Sequence, residues 1–450
     1  MSDLLTESKC RELLDVAASG ARGLGVRDVE LLVGVSAEAL TRFANNAIHQ
    51  NVAESSHYVS VRVQEDQRTA RASTNRFEAG AIGSAVAEAV AAMRVAQPDE
   101  ELPPLAEPES VPSLDRRDAK TARVTPAGRA RCVAEAIAAV EEGSLTAAGI
   151  YATEEDAHAV VNSRGVLSLH RETMARFSIT AMAADSSGWA KAGATAAGAF
   201  DPVSLARSAA LKAALSRNPR EMPPGEYTVI LEPAAVLDLV GQIFPDFSGT
   251  ALDDQRSFLT GRMGARLFGE NITIVDDSGH DWQSGPPFDG EGLPRRRITL
   301  VDKGVPLEIA RSRANARRHD AKSTGHSLPI PSEAGETVVN VVISGGGTSL
   351  AEMIASTERG ILVTRLWYIR EVDPFEKIMT GMTRDGTFLV EGGEIVCGVR
   401  NFRFNQSVVT MLNRVEAMSP AVRASGEEAM DMVVPAMKVG GFRFSEVTRF

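Results

Sequence analysis

The chain has 450 residues and a formal charge of −11, so no global field draws it to a polyanion, and nucleic acid is a poor default partner. Three cysteines far apart, Cys10, Cys132 and Cys397, offer neither a disulfide framework nor a cysteine-rich zinc site. No apolar run reaches the ~18 residues that span a bilayer, and Met1-Ser2-Asp3 does not open a secretion signal, so a cytoplasmic, membrane-free setting is expected.

In chain order, helical spacing of Leu4, Leu5, Leu13, Leu14, Ala17 and Ala18 predicts a helix over 4–21. Short β-rich runs follow at 29–33, 40–43 and 58–63. An alanine-rich helix over 77–96 then stops at Pro98, which lacks the N–H to continue it. Residues 97–113 hold five prolines and five acids and read as an extended linker.

After the linker the same programme recurs. A helix is predicted over 126–142, β segments at 159–161 and 177–183, and a helix opening at Asp201-Pro202 and ending near Asn218-Pro219. Aligning 48–63 on 166–181 matches Glu54 with Glu172, Ser60 with Ser178 and Val61 with Ile179. This predicts a duplicated α+β domain over 1–222 with a mixed sheet, its repeats at 1–97 and 126–218 and its Pro-rich linker at 98–113. From 223 to 450 strands dominate: 227–231, 272–275, 297–301, 338–343, 361–363 and 388–390. Helices are expected at 233–243 and 349–356, the latter opened by a Ser349/Glu352 capping box. The second half therefore reads as a β-rich domain.

The chemistry-bearing signals are sparse. None of the histidines, His49, His57, His158, His170, His280, His319 and His326, is followed by glutamate, and no two are three or four positions apart, the spacing that sets both imidazoles on one helix face, so the helical zinc-peptidase pair is absent. Asp276-Asp277-Ser278-Gly279-His280-Asp281 and Asp289-Gly290-Glu291-Gly292 read first as turns whose carboxylates bond their own backbone. Ser344-Gly345-Gly346-Gly347 lacks the ending of a phosphate loop. The densest polar signal runs over 366–407, where Tyr368, Arg370, Thr383, Arg384, Arg403 and Asn405 are candidates for a peptide groove or a subunit interface.

Several segments in this order resemble the TldD/PmbA family: Asn45-Asn46-Ala47-Ile48-His49-Gln50, Ser257-Phe258-Leu259, Phe288-Asp289-Gly290-Glu291-Gly292, and Val390-Glu391-Gly392-Gly393-Glu394-Ile395. The resemblance implies a duplicated α+β half, a β-rich half and a dimer enclosing a cavity for extended peptide. It also implies that a zinc-binding TldD subunit carries H-E-x-x-x-H on the helix after the first strand of the second half. Here that helix begins Pro233-Ala234-Ala235-Val236-Leu237-Asp238, without histidine, and no late cysteine ligand follows Cys397. The expectation is a non-catalytic, TldE-like subunit of a cytoplasmic zinc metallopeptidase that acts on unfolded or leader peptides. No cofactor is expected in this chain; zinc would sit in a TldD-like partner, bound as a heterodimer, with a homodimer as the other arrangement. The alternative is a self-contained homodimeric enzyme without zinc, using Asp289, Glu291 and Arg384.

Overall fold

The computed structural model describes residues 5–448, so Leu4, with which the first predicted helix begins, lies outside the described residues. That helix, α1, covers Glu7–Gly23 and is capped by Thr6, whose side chain accepts the Lys9 N–H. Then come β1 (Asp28–Ala44), β2 (Ala47–Glu65), β3 (Arg68–Thr74) and α2 (Ala79–Val95). The second repeat supplies α3 (Pro126–Glu141), β4 (Thr146–Asn162), β5 (Leu167–Met182), β6 (Ser187–Ala194) and α4 (Pro202–Leu215). Moving the bounds of β1 along the sequence by 118 positions lands on those of β4, and the other elements of the first repeat fall on or within a few residues of their counterparts. The repeat legible in three matched residues is thus the architecture of the half.

The six strands form one sheet in the order β3-β2-β1-β4-β5-β6. Where a mixed sheet was expected, every pairing in it is antiparallel, because each repeat is a meander of tight hairpins and the two meet through β1 and β4. The separate runs at 29–33 and 40–43 are one strand. Between them Gly34, Ser36 and Ala37 are small enough to continue the ladder, with a strand on each side.

Alternation assigns the faces. Odd-numbered residues such as Leu31, Val33, Val61, Ala159 and Val161 pack under α1 and α2, and Phe43, Tyr151, Phe177 and Ile179 under α3 and α4. Even-numbered residues turn toward the second half of the chain.

The linker is extended as predicted but also packed. Leu102, Leu105 and Ala106 are buried, and the carbonyls of Pro103 and Ala106 accept bonds from Gln64 and Asn162. Its prolines hold it extended, and its three buried apolar residues seat it in the seam between the halves.

In the second half, β7 (Gly225–Leu231) leads into α5 (Pro233–Val240). The strands Arg359–Asp373, Gly225–Leu231, Met437–Val447, Phe402–Ser407 and Ile378–Glu391 pair in that order, and the last pairs back to the first, which closes a five-stranded barrel. A six-stranded sheet containing Ile274–Asp276, Val341–Ile343 and Met432–Val434 packs beside it over one large core that includes Phe247, Phe258 and Phe268. Parallel pairing occurs here, between Arg359–Asp373 and β7 and between Val342 and Val433. The halves meet where Leu32, Val160 and Phe288 cluster and Ser168 Oγ donates to the Gly292 carbonyl at 2.7 Å. Gly292 has φ +79°, and a Cβ there would lie 2.7 Å from Val166, so only glycine makes this approach.

Candidate functional site

The even-numbered face of the sheet roofs a cleft whose floor is built by the second half. Strand register brings its side chains together row by row: Glu54, Glu38 and Glu154 lie opposite one another across β2, β1 and β4. In the next row Ser56, Ser36, Asp156 and Glu172 align across β2, β1, β4 and β5, and His158 faces His170 beyond them. Like charges directly opposed in a sheet are destabilising, so stability alone does not explain this roof.

Under it lies a cavity of about 550 Å³, bounded by Glu154, Asp156, Glu172, Lys191, Arg295 and the loop 426–431. A second of about 470 Å³ lies beyond that loop, lined by Phe244, Pro245, Val338, Met430 and Met432. The loop is a partition between an acidic chamber and an apolar one.

Charge in the acidic chamber is unevenly neutralised. Arg176 bonds Glu154 at 3.2 Å. Burial works to raise Glu172, but the His170 imidazole and the Gly285 N–H outweigh it and hold its carboxyl below the ordinary value. Asp156 is pushed up to about 8 by burial and then by Glu154 and Glu172 beside it. Burial also lowers His158, which keeps that ring neutral.

The loop is pinned from below by α5. Asp238 is fully buried, and its Oδ1 accepts the backbone N–H groups of Glu427, Glu428 and Ala429 at 3.0, 2.9 and 3.2 Å. Burial pushes its carboxyl up to about 6 against those three donors. A Cβ on Gly426 would sit 2.1 Å from the same oxygen, so glycine is required there. From the sides, Lys191 pairs with Glu427 at 3.2 Å and Arg423 with Asp431 at 3.0 Å. Glu428 accepts the Tyr368 N–H at 2.7 Å and faces Arg370 at 3.5 Å.

The predicted site residues divide among three places. Tyr368 and Arg370 contact Glu428 of the loop that divides the two chambers, and neither lines the chambers themselves. Tyr368 has φ +58°, is 52% exposed, and carries the Arg370 guanidinium 4.5 Å above its ring. A bulky residue in the left-handed region is a strained conformation of the kind that clusters at functional sites. Thr383 is buried and bonds the Phe402 N–H and Asn401, so it ties strands together. Arg384 lies over Trp367 at 5.1 Å, in a joint where Arg365 and Ser187 both bond Asp385. Arg403 and Asn405 alternate with the buried Phe402 and Phe404 and point out of the barrel.

Asp289 and Glu291 lie in the seam between the halves. Asp289 is buried and accepts the N–H groups of Glu291, Leu293 and Ser327; burial raises its carboxyl and those donors oppose the rise. Glu291, also raised by burial, bonds Arg313 at 2.9 Å and Ser327 Oγ at 3.1 Å. Sequence reasoning missed Glu154, Asp156, Asp238 and the loop 426–431. The available signal was alternation: Glu154, Asp156 and His158 at every second position of a strand.

The donor set does not suit the zinc that the fold family implies. Where α5 faces the loop it offers Asp238, whose carboxylate is already occupied by backbone amides, and no imidazole. Among the described residues no three histidine, cysteine or carboxylate side chains are arranged to hold a metal ion, and no helix is long and apolar enough to cross a membrane.

Residues 224–446 match the PmbA/TldA metallopeptidase C-terminal domain, and residues 29–93 match PmbA/TldA metallopeptidase domain 1. A metalloprotease of Methanothermobacter thermautotrophicus is 24% identical over 69% of this chain and 72% of its own length. An uncharacterized protein of Methanocaldococcus jannaschii is 36% identical over 22% of this chain, and the match spans only 24% of that relative's length. The crystal structure of TldE from Thermococcus kodakarensis superposes with a TM-score of 0.85 over 97% of this chain and 100% of its own, at 20% identity. With both halves matched in order and the duplicated sheet and β-rich half shared, the chain belongs to the PmbA/TldD metallopeptidase family.

Proposed function

We propose that this chain is a zinc-free, TldE-like subunit of a peptidase assembly, closing a cleft around an extended peptide while a TldD-like homologue supplies the metal. The observation that carries the reading is Asp238. On the helix where the family resemblance places zinc ligands, this chain buries a carboxylate and spends it on three amides of the loop that divides the cleft. Such a carboxylate builds a wall rather than a hydrolytic centre. The chambers on either side together hold a segment of a few residues, one apolar and one acidic. The similarity to a protein named metalloprotease and to a TldE structure supports the same reading.

The test is to purify the chain alone and together with a TldD-like homologue from the same source, and to measure cleavage of unstructured peptides. Cleavage by the pair, abolished by a chelator and absent from either chain alone, is the expected result. Chelator-sensitive cleavage by this chain alone overturns the proposal.

A further inference from the structure

Most charges around the acidic chamber are matched one to one. Arg176 pairs with Glu154, Lys191 with Glu427 and Arg423 with Asp431. Glu172 accepts the Gly285 N–H at 2.7 Å and faces the His170 imidazole at 3.7 Å. Two groups that line the chamber are left without an ion pair among the described residues, and they carry opposite signs. Asp156 has Glu154 two residues before it and Glu172 opposite it on β5, and its raised carboxyl reflects how little positive charge reaches it. Arg295 donates its Nε–H to the Phe288 carbonyl at 3.2 Å, and its Nη1 is buried with no hydrogen-bond partner. Asp276 and Asp289 act on Arg295 from beyond ion-pair distance, and both are occupied. Asp289 holds three backbone N–H groups; Asp276 holds those of Val339 and Asn340 and meets His326 Nε2 at 3.1 Å. A buried guanidinium without a matched partner is strongly unfavourable, and here it lines the same cavity as an acid short of positive charge.

We propose that the acidic chamber holds the C-terminal residue of an extended peptide when that residue is lysine or arginine, with its carboxylate on Arg295 and its side-chain cation under Asp156 and Glu172. One such residue supplies both charges that the chamber lacks. A peptide's amino terminus brings an ammonium but no anion for Arg295, and an internal basic residue offers Arg295 only a neutral carbonyl. A guanidinium binds a carboxylate through two parallel N–H bonds, which engages the unpartnered Nη1. Met174 and Met430 also line the chamber and suit the aliphatic stem of a long basic side chain. A volume of about 550 Å³ takes one large residue, and the apolar chamber across the loop 426–431 gives the residues before it apolar cover. Free lysine and arginine carry the same two charges but leave that second chamber unfilled, so a peptide end is the better occupant. The inference rests on the reading of the cleft as a peptide site and adds which end of the peptide, and which side chain, it selects.

Fluorescence anisotropy titrations of the full-length chain test it, with Gly-Ser-Ala-Leu-Lys labelled at its amino terminus as the probe. The free acid is expected to bind at least ~tenfold more tightly than the same peptide ending in an amide, and than the peptide acid ending in norleucine. Arg295→Gln is expected to erase the preference for acid over amide and to keep the preference for lysine. Asp156→Asn is expected to cut the preference for lysine and to keep that for the acid. A general loss of structure would weaken all three peptides together, so this split reads recognition alone. Should Arg295→Gln misfold, Arg295→Lys keeps the charge but loses the two-pronged geometry, and the ratio of acid to amide affinity is expected to shrink. Free lysine and arginine are expected to compete at least ~tenfold less well than the unlabelled peptide. Competition as strong as the peptide's assigns the chamber to free amino acids and overturns the proposal. Equal binding of the acid, amide and norleucine peptides overturns it and leaves the peptide cleft standing, whereas failure of every peptide to bind overturns both.

Discussion

Ala37 pairs across the centre of the sheet with Glu155, the residue 118 positions later and therefore its own counterpart in the second repeat. The pseudo-two-fold axis of the duplicated half passes through this pair. Symmetry makes the two repeats alike in backbone; what each buries on its even-numbered face makes them different. The second repeat is covered by the loops of the barrel half, and its carboxylates become the roof of the cleft. The first repeat leaves the equivalent surface open, at Glu38 and Glu54.

Removing the Asp238 carboxylate releases the partition. Asp238→Ala leaves three backbone N–H groups without an acceptor and is expected to cost about 2–4 kcal/mol in urea denaturation. Asp238→Asn keeps one oxygen able to accept all three and is expected to cost less than about 1 kcal/mol. Hydrogen exchange at Glu427, Glu428 and Ala429 should accelerate in the first variant and not in the second.

Acidity of the roof predicts a pH dependence with a definite sign. Folding raises Asp156 from an ordinary 3.8 to about 8, so between those values the folded chain holds a proton that the unfolded chain has released. The contribution of this group to stability therefore falls as pH rises through that window. Asp156→Asn cannot lose the proton, so its thermal midpoint should exceed the parent's at pH 8 and the difference should shrink toward pH 4. Equal midpoints at pH 8 would show that the carboxylate is not strained by its neighbours.

Asp385 joins the two halves. It takes a two-pronged bond from Arg365 and accepts Ser187 Oγ at 2.6 Å, with Arg365 packed 4.8 Å from the Trp189 ring. Asp385→Ala leaves a buried guanidinium unpaired and is expected to destabilise by about 3–5 kcal/mol. The loss should appear in Trp189 fluorescence early in the denaturant transition, because β6 loses its anchor to the barrel.

Tyr368 should trade stability against binding. Replacing it with glycine relieves the left-handed backbone, a gain of about 1–2 kcal/mol, and forfeits an exposed cation–π contact worth about 0.5–1 kcal/mol. Tyr368→Gly is therefore expected to be as stable as the parent or slightly more so. Its capture of extended peptide in a fluorescence anisotropy titration should be weaker. Unchanged peptide capture would remove Tyr368 from the binding surface.

Much of the fold was legible because it is local or periodic. The proline that stops α2, the Asp201-Pro202 start of α4 and the Ser349/Glu352 capping box act within a few residues, and all three appear as read. Alternation in β2 and the repeat offset likewise need no knowledge of distant contacts. The absence of a helical histidine pair belongs to the same class, since a helix face is defined by spacing alone.

Tertiary structure decided where charge ends up. Asp289, Glu291 and Arg384 are polar residues in turns and strands, and nothing in their neighbours along the chain shows that amides, Arg313 and Trp367 occupy them. Glu38 and Glu154 are 116 positions apart, and only strand register sets them side by side. Asp238 meets the loop at 427–429 only because the barrel and its neighbouring sheet bring the two ends of the second half together. Sequence by itself determined the repeat, the elements and the missing zinc ligands. Burial and long-range register, which depend on the whole chain, decided which carboxylates wall the cleft.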